Sequence, residues 1–424
     1  MKDIFTININ VLLVISLWIL SSFTSSSLSI SLVILSFVFA IYKDLKFLIF
    51  IFFYFLLVIS DSRLDILRFS QTIKPVIALT FFLYSIIFYR KTITNGYSYK
   101  PVSFFPFIIF IAISFFIGEF NFIILQKSIS FILLFCFTPF LIEFLFFQKN
   151  KIYLKSLIYL MVSILILGLV FIFINDDVVK LNLRFRGFFG NPNGLAISAL
   201  LFLFFFNHIR VVYKSLFSKN EIIIIVIILF FNIFLSESRS CIVALLVYYS
   251  FIFLLNYSII IAVLFSSLIV ISYGFISLNP IEFIKTVGLE SYIRLETLEN
   301  ASGRYVAWEF LLNKIDYPNI FFGNGIGSTE LLFKKNYSFL SRLGHEGNAH
   351  NSFLTIWYDT GFLGLLSFFS FIIYSAFSSK NFMNTIPILL GVFISAFYES
   401  WLSASLNPFT IILLLIIVIF NVDK

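Results

Sequence analysis

Two of the chain's three histidines, His345 and His350, stand in one short polar stretch, His345-Glu346-Gly347-Asn348-Ala349-His350-Asn351, directly before an apolar run. An imidazole at a water–hydrocarbon boundary exchanges a proton near neutral pH, so His350 suits a general base or a phosphate contact. Capping the following helix is the alternative use for it. Glu346 is the next candidate base. Zinc would need further ligands at suitable spacing, and only Glu346 is near, so no metal site is expected.

Arginines supply the complementary chemistry. Arg184 and Arg186 precede Gly187, Gly190 and Asn191-Pro192-Asn193-Gly194, a run of turn formers in which Asn193 can cap the next helix. Two arginines before a helix N-terminus make an anion site, since unpaired N–H groups and the helix dipole add to their charge. A snorkelling pair anchored at the interface is the other reading. Arg239 sits in Ser236-Glu237-Ser238-Arg239-Ser240, where it either meets a ligand or pairs with Glu237.

Arg304 opens Ser302-Gly303-Arg304-Tyr305-Val306-Ala307-Trp308. Tyr305, Trp308, Leu312 and Ile315 recur at helical spacing, which predicts an amphipathic helix over 304–315, capped by Ser302 and lying on the bilayer or on the bundle. A cation in a first helical turn opposes the dipole unless an anion lies between them, which again points to phosphate. Gly323-Asn324-Gly325-Ile326-Gly327 reads as a flexible turn. It lacks the βαβ setting of a dinucleotide fingerprint.

The elements that must position these residues are hydrophobic. Of 424 residues, 60% are hydrophobic and only 12% charged, a composition that a soluble chain cannot bury. An all-α polytopic integral membrane protein is the reading. Apolar runs at 4–20, 28–42, 47–60, 75–89, 102–117, 128–147, 156–174, 193–207, 221–235, 240–255, 257–278, 351–375, 384–399 and 406–421 give roughly 12–14 helical spans. Most of the 62 phenylalanines read as lipid-facing filler, the alternative being an aromatic carbohydrate-binding lining. The N-terminal run lacks a small-x-small cleavage site and reads as an uncleaved first helix. Cys136 and Cys241 lie far apart in or beside apolar segments, so a disulfide is not expected.

Short loops rich in Lys and Arg, such as Lys43/Lys46, Arg90/Lys91/Lys100 and Arg210/Lys214/Lys219, fall on one side under strict alternation. That side is the cytoplasm, with both termini, and its basic loops meeting anionic lipid heads account for the net charge of +8 without nucleic acid. The chain therefore divides into an N-terminal bundle of about eleven helices (1–278), a long outer segment (279–350) and about three C-terminal helices (351–424). Arg184, Arg186, Arg239, Arg294, Arg304 and Arg342 all land outside, where topology does not call for them. Planar guanidinium forks there suit phosphate. Glu143 and Glu399 are the main acids near the apolar runs, and no internal repeat of the kind found in transporters relates the two halves.

In order along the chain stand Arg186-Gly-x-x-x-Asn-Pro-Asn193, Ser238-Arg239-Ser240, Ser302-Gly-Arg304-x-x-x-Trp308, Gly-x-Gly, and His350-Asn351-x9-Gly361-x-x-Gly364. Together, over about Arg184 to Gly364, they resemble the O-antigen ligase and Wzy-type O-antigen polymerase superfamily. The resemblance implies a metal-independent, cofactor-free glycosyltransferase acting on undecaprenyl-diphosphate-linked glycan at the periplasmic face of the bacterial inner membrane. By the same carry-over, Arg239 and Arg304 hold the donor diphosphate and His350 assists the attacking hydroxyl. Arg184 or Arg186 is an auxiliary contact, with Asn193, Glu346 and Asn351 also toward substrate. No Asp-x-Asp is present for a metal with a nucleotide sugar. Both polymerase and ligase carry these motifs, and the His-Asn-x9-Gly-x-x-Gly spacing is associated with the ligase. The AT-rich character of the composition, typical of glycan gene clusters, favours the polymerase, which a chain-length-regulating co-polymerase would accompany. A flippase or other transporter is the reading from a different class.

Overall fold

A computed structural model describes residues 2–43, 51–52, 55, 68–92, 96–117, 122–149, 151–278, 302–343, 345, 347–404 and 406–422. The chain is all-α and polytopic; the sheet among the described residues is one two-stranded hairpin. In hydrocarbon every backbone N–H and C=O must be bonded within the segment, so runs this apolar have the helix as their outlet. Each expected run except 47–60, which lies largely outside the described residues, coincides with helix. Among the described residues, four helices are by length and composition alone able to cross a membrane: Ile124–Phe147, Lys151–Ile174, Pro192–Val212 and Ser352–Phe377.

Seven helices matter for the site: α1 (Pro192–Val212), α2 (Lys219–Leu235), α3 (Arg239–Leu255), α4 (Ser302–Leu312), α5 (Ser328–Lys335), α6 (Ser352–Phe377) and α7 (Phe382–Phe397). The α1 helix is the axis of the bundle, buried from Leu195 through Phe206. Packed around it are α2, α7 and the C-terminal helix Pro408–Val422, itself buried along most of its length. Gly391 of α7 lets that helix close on α1, because a Cβ there would lie 2.3 Å from the Phe204 ring.

A second, smaller core lies outside the bundle: Ala307 and Leu311 of α4 pack with Phe333, Leu340, Ala349 and Tyr358. Here the structure differs from the expected amphipathic stripe. The helix ends at Leu312, its buried face is Ala307 and Leu311, and Leu312 is exposed. What seats α4 is Trp308, whose indole N–H donates to the Ala349 carbonyl at 2.8 Å while its ring meets Phe397 and Tyr398 at the end of α7.

The glycines of the Gly-x-x-Gly pair are packing residues. Gly361 takes φ +74°, and a Cβ there would lie 2.1 Å from the Phe321 carbonyl oxygen. Only glycine permits both that backbone and that approach. Nor is the 323–327 turn loose: its Asn324 and Gly325 N–H groups donate to the Tyr358 and Asp359 carbonyls. The Asp359 carboxylate in turn accepts from Gly327 N (2.8 Å), Thr329 N (2.9 Å) and the Thr329 hydroxyl (2.6 Å). The expected flexible turn is thus stapled onto α6.

Candidate functional site

A hairpin presents the first arginine. Lys180–Leu181 pairs antiparallel with Arg184–Phe185, and the two residues between, Asn182 and Leu183, both adopt positive φ. Such a two-residue turn matches the twist of its strands. It holds the Arg184 guanidinium over the end of α2, where Nε and Nη2 donate to the Ser236 carbonyl at 3.1 and 2.7 Å. Nη2 also donates to the Asn193 side-chain oxygen at 3.1 Å.

Asn193 does not cap α1, contrary to the expectation from sequence. Asn191 does, accepting from Gly194 N at 2.5 Å, because it holds the extended N-cap backbone while Pro192 fills the first helical position. That leaves the Asn193 amide free to turn outward, where its Nδ2 donates to Glu399 Oε1 at 2.7 Å.

Glu399 is where the pieces meet. It follows α7 in extended backbone, and its side chain is 12% exposed. Oε1 accepts from Arg304 Nη2 at 2.8 Å as well as from Asn193, and Oε2 lies 3.1 Å from His350 Nδ1. Burial by itself would push this carboxyl up. The hydrogen bond and charge of His350, then Arg304 and the Asn193 amide, reverse that and hold it below the ordinary carboxylate range.

His350 sits at φ +45°, a backbone that costs a non-glycine residue roughly 1–2 kcal/mol. Its N–H is tied to the Asn348 side chain at 2.8 Å, and the His345 ring stands edge-on to it at 5.9 Å between centroids. With Nδ1 on Glu399, its Nε2 makes no hydrogen bond among the described residues, and 30% of the side chain is open to the exterior. Backbone strain retained at a half-open imidazole is the pattern of a positioned functional group.

Arg239 opens α3 and is exposed, with no ion pair to Glu237 among the described residues. Burial lowers the basicity of Arg184; Glu237 and Glu399 oppose that, and Arg239 and Arg304 lower it further.

The remaining sequence candidates fall elsewhere. Arg186 turns into its own loop, where Nη2 donates to the Val178 carbonyl at 3.2 Å. Asn351 is buried and caps α6, accepting from Leu354 N at 3.0 Å, so the neighbour of His350 takes the capping task. Arg342 is exposed at the end of the short helix Tyr337–Arg342. Arg294, Glu346 and the side chain of Ser302 lie outside the described residues. Glu143 accepts from Ser98 N and Tyr99 N at 2.7 and 2.9 Å, holding a loop.

Glu399 is the residue that sequence reasoning left without a role. Its signal was present as an acid at the end of an apolar helix, the setting in which an ionisable group is costly unless partnered.

Residues 224–369, about a third of the chain, match the model of the O-antigen ligase family (Wzy_C). Over that stretch the chain is similar to the O-antigen ligase family, whose members are membrane glycosyltransferase-like enzymes of O-antigen processing. The match takes in Arg239, Arg304 and His350 and stops short of Arg184, Asn193 and Glu399. No curated protein matches the chain.

Proposed function

We propose that the chain is an O-antigen polymerase, joining undecaprenyl-diphosphate-linked oligosaccharide repeat units at the periplasmic face of the inner membrane. The observation that carries the reading is the convergence of Arg304, His350 and Asn193 on the Glu399 carboxylate, with Arg184 bonded to Asn193 and the charge of Arg239 felt at Arg184. An acceptor hydroxyl attacks the anomeric carbon of the donor glycan. As that C–O bond forms, the bond from the anomeric carbon to the diphosphate oxygen breaks, and the leaving diphosphate keeps the electron pair.

His350 Nε2 takes the hydroxyl proton. Glu399 fixes the ring through Nδ1 and favours the imidazolium that results. Negative charge grows on the diphosphate, where Arg239 and the unshared N–H groups of Arg304 stabilise it. Fixed donors of this kind are worth roughly 10²–10³ in rate each. Arg184, bonded to Ser236 and Asn193, supports the cluster and adds to its positive field. A site at the rim of the bundle suits a donor whose polyprenyl tail stays in the bilayer.

The ligase is the second reading, favoured by the O-antigen ligase family that residues 224–369 resemble and by the His350-to-Gly364 spacing. Lipopolysaccharide from a strain lacking the gene, complemented with His350→Ala, separates the two on a gel. Core carrying a single repeat unit, with the ladder gone, is the polymerase result. Core with no repeat at all would assign the ligase, and an unchanged ladder would overturn both.

A further inference from the structure

At the end of the bundle remote from Glu399, a cavity of about 350 Å³ opens between the C-terminal turns of α1, the start of α2, the far half of α3 and the first turns of α7. The same helices build the outer site with their opposite ends: α1 through Asn193, α3 through Arg239, and α7 through Glu399, which follows it. Alternation and the positive-inside pattern therefore put this cavity at the cytoplasmic face.

Its polar lining includes Arg210, Lys214, Asn207 and Asn384 besides His208 and two tyrosines, and no Asp or Glu lines it among the described residues. The acid nearest in sequence, Glu221, is already engaged by Lys155 at 2.9 Å, by the Tyr159 hydroxyl and by Ser218 N. Arg210 gives Nη1 to Asn207 at 3.3 Å, while its buried Nε has no hydrogen-bond partner. Neither Arg210 nor Lys214 makes an ion pair among the described residues. A buried guanidinium N–H without an acceptor costs on the order of 1–3 kcal/mol, which an anion in the cavity would recover. Ile222 and Ile252 add apolar surface to the lining. Two cations, two amides and that apolar surface match a phosphate joined to a hydrocarbon chain.

We propose that this cavity binds a phosphate-bearing anion, and specifically the headgroup phosphate of an anionic phospholipid of the cytoplasmic leaflet, held between Arg210 and Lys214. The site is separate from the outer arginine cluster and does not depend on the reaction assigned there. A lipid held at one end of α1, α3 and α7 braces the helices that carry the outer site at the other.

Native mass spectrometry of the full-length protein in mild detergent tests this, with phosphatidylglycerol, phosphatidylethanolamine and inorganic phosphate as probes. The expected result is one phosphatidylglycerol retained in preference to phosphatidylethanolamine. Arg210→Gln with Lys214→Gln removes two charge-assisted contacts and cuts that preference about tenfold or more. Lys214→Gln alone, on an exposed side chain, shifts it in the same direction should the double variant fail to fold. Millimolar inorganic phosphate that displaces the lipid from the wild type, and raises its melting temperature but not that of the variant, would keep the phosphate site and assign a soluble occupant. Equal retention of both lipids with no effect of phosphate, or a preference that survives both substitutions, would overturn the proposal.

Discussion

Glu399 and Asp359 are both shielded carboxylates, and they are satisfied in opposite ways. Asp359 accepts from two backbone N–H groups and one hydroxyl, all on the 327–329 segment that it staples to α6. These three partners are neutral and lie on one segment. Glu399 accepts from an arginine, a histidine and an amide on three separate elements, and the cluster stays partly open through His350 and Arg304. Backbone partners close an anchor, whereas ionisable partners gathered from distant elements leave a centre whose charges can be redistributed by a ligand.

The largest expected effect is at His350. His350→Ala removes the proposed base and lowers chain extension by about 10²–10⁴-fold with normal protein levels, read as ladder density against an immunoblot. Arg304→Ala follows at roughly 10²–10³-fold, because one fixed donor to the leaving diphosphate is lost. If Arg304→Lys restores most of the activity, a point charge suffices and the planar fork is not needed at this position.

The paired substitutions Glu399→Gln and Asp359→Asn address the contrast itself. Glu399→Gln keeps the shape and loses the charge beside His350; turnover is expected to fall on the order of 10²-fold with little change in melting temperature. Asp359→Asn puts an amide where three donors converge and costs roughly 2–4 kcal/mol of stability, seen as a lower melting temperature and less protein. Equal thermal losses in both variants would erase the distinction.

The smallest effect is on acid stability. Glu399 is held below its ordinary value of 4.5 in the fold, so its contribution is complete above that value. It is lost as pH falls below 4.5 through the folded value. Melting temperature measured between pH 6 and pH 3 should fall more steeply in the wild type than in Glu399→Gln.

The helices were legible because hydropathy and the demand for internal hydrogen bonding act locally. Arg184, Arg239, Arg304 and His350 were legible as polar residues that topology did not require. What sequence could not supply was the partner that gathers them: Glu399 lies 49 residues from His350 and 95 from Arg304. Backbone detail decided other points. Asn191 rather than Asn193 holds the extended cap geometry before Pro192, which frees Asn193 for Glu399. Spacing flagged Gly361 and Gly364, but a clash distance was needed to show that Gly361 serves packing. Arg184 lies in the hairpin strand, whereas Arg186 stands past its end and donates back to the Val178 carbonyl, so only the first reaches the cluster.

The most direct measurement is chain extension by purified protein in lipid, using a synthetic undecaprenyl-diphosphate-linked repeat unit, with Glu399→Gln beside the wild type. Loss of about 10²-fold in turnover by a variant that melts like the wild type is the predicted result. A Glu399→Gln protein that extends chains at the wild-type rate would contradict the assignment of the reaction centre to the Glu399 cluster.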